Sequence, residues 1–225
     1  MKIKVLALTA AITFVFGGVF GIQQYISSQI VSRVERELPK ASGISASVPL
    51  TDIPSNLTSD SIKSANINIE SFNLKENNTQ VSLEISASNV RKAKPTIVGS
   101  LKVIATIPAS TITKSSQFSN PQIVGNTLQV SAGSGGLGTA VLIPKYTNNQ
   151  LYFELQSVSF LGNQIPASSL PAELQSQIKS RSQRSLKPPK GLSVNSVSLS
   201  SSIIFSLSAF SHVLDFIAET IIYED

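Results

Sequence analysis

Apolar residues recur at every fourth position before Pro39 and at every second position after Ile44, so the chain passes from helical to extended spacing around residue 40. Ile26, Ile30, Val34 and Leu38 form one helical stripe, with Arg33, Glu35, Arg36 and Glu37 between its members; Pro39 and Gly43 end it. Upstream, the stretch from Val5 to Ser32 carries no charge. Its most apolar part, Val5 to Ile22, approaches the ~20 residues a helix needs to cross a hydrocarbon core. Lys2 and Lys4 would hold the N-terminal side in the cytoplasm and put the rest of the chain outside. Val19-Phe20-Gly21 is a poor cleavage box, which favours an uncleaved anchor over a secretory signal. These residues predict a transmembrane anchor or signal segment over 1–25, an amphipathic helix over 26–40, and a single-pass protein of the cell membrane whose main domain is extracytoplasmic.

The extended spacing then persists. Ile44, Ala46 and Val48 alternate with serines, and Ala65, Ile67 and Ile69 give way to Phe72 and Leu74 after a one-residue slip that predicts a bulge. Val81 to Ala87 and Ile97 to Ile107 read as long strands of an antiparallel sheet. Ile123-Val124, Gly125-Asn126 and Leu128 to Val130 read as strand, turn and strand; Thr139 to Ile143 and Leu151 to Leu161 pair around Asn148-Asn149. A helical segment with Leu170, Leu174 and Ile178 follows Pro166, and Leu192 to Ala209 is a last long strand. No strand-helix-strand rhythm is present, so the fold class expected is α+β and strand-dominated, with one β-rich domain over 41–210 and a helical tail over 211–225.

Composition narrows the chemistry. The chain has no Cys, which excludes disulfides, thiolate metal sites and a cysteine nucleophile, and its one His is His212. No metal site, no cofactor and no catalytic residue is expected, and the protein is read as a non-enzyme. Two formal motifs fail on context. Gly133 to Gly138 spells G-x-G-x-x-G but is followed by the strand-like Thr139 to Ile143, not by the helix N-terminus that phosphate cradling needs. Ser134 lacks a G-x-S-x-G elbow; its only available base is His212, which would share a helical face with Asp215 if the tail Phe210 to Tyr223 were helical.

The net charge of +5 favours anionic partners, and outside the cytoplasm these are lipid headgroups or acidic glycans sooner than nucleic acid. Lys179, Arg181, Arg184, Lys187 and Lys190 form a basic run with no acid between Glu173 and Asp215, and Arg91, Lys92 and Lys94 form a second cluster in a strand connection. Both are candidates for contact with headgroups or an anionic membrane surface, at ~1 kcal/mol per charge; ordinary solvated loops are the alternative.

The succession Val158-Ser159-Phe160-Leu161-Gly162-Asn163-Gln164-Ile165-Pro166, a short helix, and Pro188-Pro189-Lys190-Gly191-Leu192-Ser193-Val194-Asn195-Ser196-Val197 resembles the LmeA family of actinobacterial phospholipid-binding proteins. So does the strand Gly99 to Pro108. Pro188 stands where that family usually has Leu. The resemblance implies a tubular lipid-binding fold, in which a highly curved antiparallel sheet wraps a helix and leaves an apolar groove. It also implies phospholipid as partner and a role in cell-envelope lipid or lipoglycan assembly. An acyl chain of about 16 carbons gains on the order of 10 kcal/mol by leaving water. The groove lining is then expected among Leu83, Ile85, Leu101 and Val103, among Leu128, Val130, Leu151, Phe153 and Leu155, and among Val197, Leu199 and Phe205. Plain core is the alternative for each. A pilin-like surface protein, or an envelope hydrolase using His212, remains the competing reading of the whole chain. Oligomeric state is left open.

Overall fold

The computed structural model describes residues 23–38, 41–49, 61–74, 79–91, 97–108, 118–132, 137–185, 188 and 191–213. Helix α1 is Gln23–Glu37, and strands β1 to β4 follow as Ala41–Ser47, Ser61–Leu74, Thr79–Arg91 and Ile97–Pro108. Strands β5 to β9 are Gln122–Val124, Thr127–Ala132, Gly138–Thr147, Gln150–Phe160 and Asn163–Pro166. A 3-10 turn at Ala167–Ser169 leads to helix α2, Ala172–Ser182. Strands β10, β11 and β12 are Arg184–Ser185, Ser193–Leu199 and Ser202–Val213.

The strands make two sheets. The first has the order β1-β2-β3-β4-β12-β11; the second runs β10-β8-β7-β6-β5, with β9 also paired to β8. By compactness the chain divides into two units. One holds Thr106–Lys187 with Val194–Ser206; the other holds the described residues up to Ala105 with Pro188–Ser193 and those from Leu207.

Two expectations are corrected here. The tubular fold, one highly curved sheet wrapped around a helix, is replaced by two antiparallel sheets that are neither closed nor strongly curled. Alternation dictates that each strand has an apolar face, but closure into a tube depends on strand tilt and stagger, which alternation does not encode. After β4 the chain leaves the first sheet, builds a meander of short-turned neighbours, and returns to the first sheet only with β12 and β11. The second correction concerns the membrane helix and the single-pass, extracytoplasmic placement built on it. Among the described residues no helix is long and apolar enough to cross a membrane. Helix α1, at 15 residues, is amphipathic by sequence, with Arg33, Glu35, Arg36 and Glu37 between the members of its apolar stripe. The segment Val5 to Ile22 lies outside the described residues.

From Ala65 onward the register of the first sheet carries out the alternation. Ile62 faces Val90, Ala65 faces Ala87, Ile67 faces Ile85, Ile69 faces Leu83 and Phe72 faces Val81, and all of these are buried. The pairing shifts between Ile69 and Phe72, so the phase slip is a bulge that keeps Phe72 on the apolar face. Gly43 in β1 has φ of +63°, and a Cβ there would collide with the Glu70 side chain, so close backbone approach and the left-handed conformation both require glycine. Helix α1 packs against β1, with Ile30, Val34 and Leu38 buried. Each such side chain, fully buried, stabilises by ~1.5–3 kcal/mol.

In the second sheet the turns follow from residue type. Asn148 and Asn149 both have positive φ, 53° and 58°, giving the type I′ turn that matches the twist of a two-residue hairpin. Strand β8 pairs with β7 along one edge. Its other edge is shared: β9 takes Ser157 to Phe160, β10 takes Gln150 and Leu151, and helix α2 packs alongside. Between β9 and β10, the buried Ser182 hydroxyl accepts from the Phe153 N–H at 2.9 Å and lies 3.3 Å from the Phe153 carbonyl. The hydroxyl's own proton is also within reach of the Lys179 carbonyl at 3.0 Å, so the side chain takes the place of a strand chiefly by accepting from the Phe153 N–H. Gln175 Nε2 donates to the carbonyls of Ala167 and Leu170, which ties the helix start to the 3-10 turn.

Removing that hydroxyl should unpin the helix from the strand edge. Ser182→Ala is expected to lower the unfolding free energy by about 1–3 kcal/mol, the cost of a buried backbone group left unpaired. Urea denaturation of the variant against the parent measures it, and a change within error would show that the edge is satisfied some other way.

Candidate functional site

The candidate lining residues lie on strands of both sheets. Leu83 and Ile85 on β3, Leu101 and Val103 on β4, Leu199 on β11 and Phe205 on β12 are buried in the first sheet, and Val197 on β11 is half-buried. Leu128 and Val130 on β6 and Phe153 and Leu155 on β8 are buried in the second, where Leu151 is half-buried. Other buried members of these faces escaped the sequence reading of a lining: Ile67 and Ile69 opposite Ile85 and Leu83, Leu142 between Leu128 and Leu155, and Ile203 and Leu207 beside Phe205. Their alternation was visible, but strand pairing was needed to show which residues meet.

The two faces differ in chemistry from the surface behind them. Among the described residues the buried polar ones are Ser157 and Ser182, both in the second sheet's region, so the buried face of the first sheet is aliphatic and aromatic. On strands β1 to β3, by contrast, a shallow depression of about 310 Å³ is lined by Ser45, Ser47, Asn66, Asn68, Glu84 and Ser86, with Ala46, Ile67 and Ile85 between them. The described acids and histidine do not gather: no group of three His, Cys, Asp or Glu among the described residues could hold a metal ion.

The basic residues are distributed as follows. Lys179 and Arg181 occupy the last turn of α2, where cations complement the carbonyl end of the helix. Lys179 also sits over the Tyr152 ring, 4.5 Å from its centroid, so part of its role is to hold the helix on β8. Arg184 opens β10 and Arg91 closes β3. Lys92, Lys94, Lys187 and Lys190 lie outside the described residues. Nearby, Lys145 and Glu154 form an exposed pair at 3.6 Å, which contributes little. Burial pushes the Tyr146 phenol above its ordinary range, and its hydroxyl donates to Asn149 Oδ1 across the β7–β8 turn.

His212 lies in β12, which stays extended through Val213, so the stretch that the sequence reading assigned to a helical tail begins as strand. Asp215, the partner expected for His212, lies outside the described residues. The glycine-rich segment leads into β7 at Gly138, a strand and not a helix, so no helix N-terminus faces it. Ser134 lies outside the described residues.

No family model matches this chain, and no match was found among curated proteins or solved structures. The apolar faces themselves are the functional lead. Their inner members should behave as tightly packed core: Leu142→Ala is expected to cost about 2–5 kcal/mol, whereas the half-buried Val197→Ala should cost less than about 1 kcal/mol. Thermal denaturation of the two variants side by side tests the difference in packing.

Proposed function

We propose that this protein binds the acyl part of a phospholipid, holding it against the aliphatic face of the first sheet beside helix α1, and that it does so without catalysing a reaction. The observation that carries the reading is the run of paired apolar residues on β2 and β3, Ala65 with Ala87 through Phe72 with Val81, uninterrupted by a buried polar group. A hydrocarbon chain on such a face leaves no donor or acceptor unpaired, so nearly all of its transfer free energy, on the order of 10 kcal/mol for about 16 carbons, is retained. Helix α1 supports the same reading. It buries a narrow stripe, Ile30 and Val34 with Leu38 directly after it, and packs against β1, so it covers the apolar face through a few side chains that slide more readily than an interlocked sheet. The resemblance to the LmeA family points in the same direction. The cations of α2, Lys179 and Arg181, are proposed to meet an anionic membrane surface, and nucleic acid is not a partner in this reading.

The full chain, purified without harsh detergent, is expected to carry phospholipid in native mass spectrometry and to take it up again after delipidation. A preparation that arrives empty and stays empty overturns the proposal. In the Lys179→Gln, Arg181→Gln double variant, binding to anionic vesicles is expected to weaken by about 1 kcal/mol per charge at low salt. That difference should shrink as the Debye length falls to ~3 Å near 1 M salt. Co-sedimentation across a salt series reads both effects.

A further inference from the structure

The second sheet ends in an apolar tip. Strands β8 and β9 turn at Leu161 and Gly162, both with positive φ, 47° and 84°, which makes a type I′ turn. The first turn position of this kind favours Asn, Asp or Gly, and the β7–β8 turn of the same sheet obeys that rule with Asn148. Here the position holds a leucine, in a backbone conformation that a bulky side chain rarely adopts, and its side chain is 73% exposed. Neither packing nor turn chemistry accounts for it.

Its neighbours extend the same character. Phe160 is 44% exposed, Ile165 38% and Leu137 62%. Phe160 and Ile165 lie on one face of the hairpin, because Phe160 pairs with Asn163 and Val158 with Ile165. Leu137 precedes Gly138, which pairs with Phe160, and the ring of Phe160 lies 3.4 Å from where a Cβ of that glycine would be. The chain segments that adjoin it carry no charge: no Asp, Glu, Lys or Arg occurs over 115–144 or over 155–172.

We infer that the tip of the β8–β9 hairpin, with Leu161 at its apex, inserts into the interfacial layer of a lipid bilayer. An apolar medium demands that backbone groups be paired beforehand, and the ladder from Ser157 and Pro166 to Phe160 and Asn163 does this almost to the apex. The absence of charge fits a neutral medium and gives no complementarity to a charged one. A protein partner is the poorer fit, since a stable interface uses about 20–30 residues on each side and the tip offers a few protruding side chains. The inference stands apart from the acyl-chain proposal, because a protein can hold monomeric lipid without touching a bilayer, and the reverse.

The turn supplies its own test. Leu161→Asn creates an Asn-Gly type I′ turn, so the variant is expected to melt at a higher temperature than the parent while its partition onto phosphatidylcholine vesicles falls at least about tenfold, the worth of one buried leucine. The chain contains no Trp, so Phe160→Trp installs a single reporter whose emission should shift to the blue when those vesicles are added. Binding should survive high salt. Equal partition of Leu161→Asn and parent, an unshifted emission, or binding confined to anionic vesicles and lost in salt would each overturn the inference. Uptake of a monomeric short-chain phospholipid by Leu161→Asn is read in parallel: its retention separates loss at the tip from loss of the acyl site.

Discussion

Strand β8 has two edges, and the second sheet depends on both being satisfied. A strand buried in a sheet without a partner on one side leaves a row of N–H and C=O groups whose desolvation no apolar packing repays. On one side β7 supplies the partner over the whole length of β8. On the other, no single strand does. A four-residue strand, a two-residue strand and the hydroxyl of Ser182 divide the work, and helix α2 covers the join. The helix is placed by this need. Its apolar content is modest and its surface mostly exposed, so its position on β8 rests on the serine, the Lys179–Tyr152 contact and the Gln175 tie to the preceding turn.

The first sheet solves a different problem. Its strands are long and pair in register, so its edge requirement is met by neighbours and its cost lies in covering one aliphatic face. Helix α1 contributes Ile30 and Val34 to that cover, and Leu38 directly after it adds a third buried side chain. The contrast matters for function: an element held by edge hydrogen bonds is fixed in place, whereas one held by a narrow apolar stripe shifts at the expense of dispersion and burial alone. A hydrocarbon ligand can replace those contacts in kind, and this is the physical content of the acyl-chain proposal.

Much of the local structure was legible in the residues. The step from a four-residue to a two-residue period marks the end of α1 and the start of β1. The phase slip before Phe72 is a bulge, and Asn148-Asn149 is a hairpin turn. These features are local: a period, a steric preference or a turn propensity acts within a few residues and leaves its mark there. The candidate lining was legible only in part. Alternation identified Leu83, Leu101, Leu128 and Phe205 as inward-facing, but it could not say which strands are neighbours, and the hydrogen-bonded ladders distribute them over two sheets. The run from Leu192 to Ala209 read as one strand and is two, β11 and β12, separated at Ser200-Ser201. Serines fit strand and turn alike, so nothing in that run announced the reversal.

By itself, then, the order of residues determined where the chain is extended, which side of each strand is oily, where it turns, and which chemistries it lacks the groups to perform. Tertiary structure alone decided how many sheets form, which strands are neighbours, that a serine hydroxyl completes an edge, and that Leu161 stands exposed at a turn apex. The reason is one of range. Side-chain period and backbone preference are properties of neighbouring residues, whereas sheet order, closure and exposure are set by pairings between residues far apart in the chain, which the same alternating pattern permits in more than one arrangement.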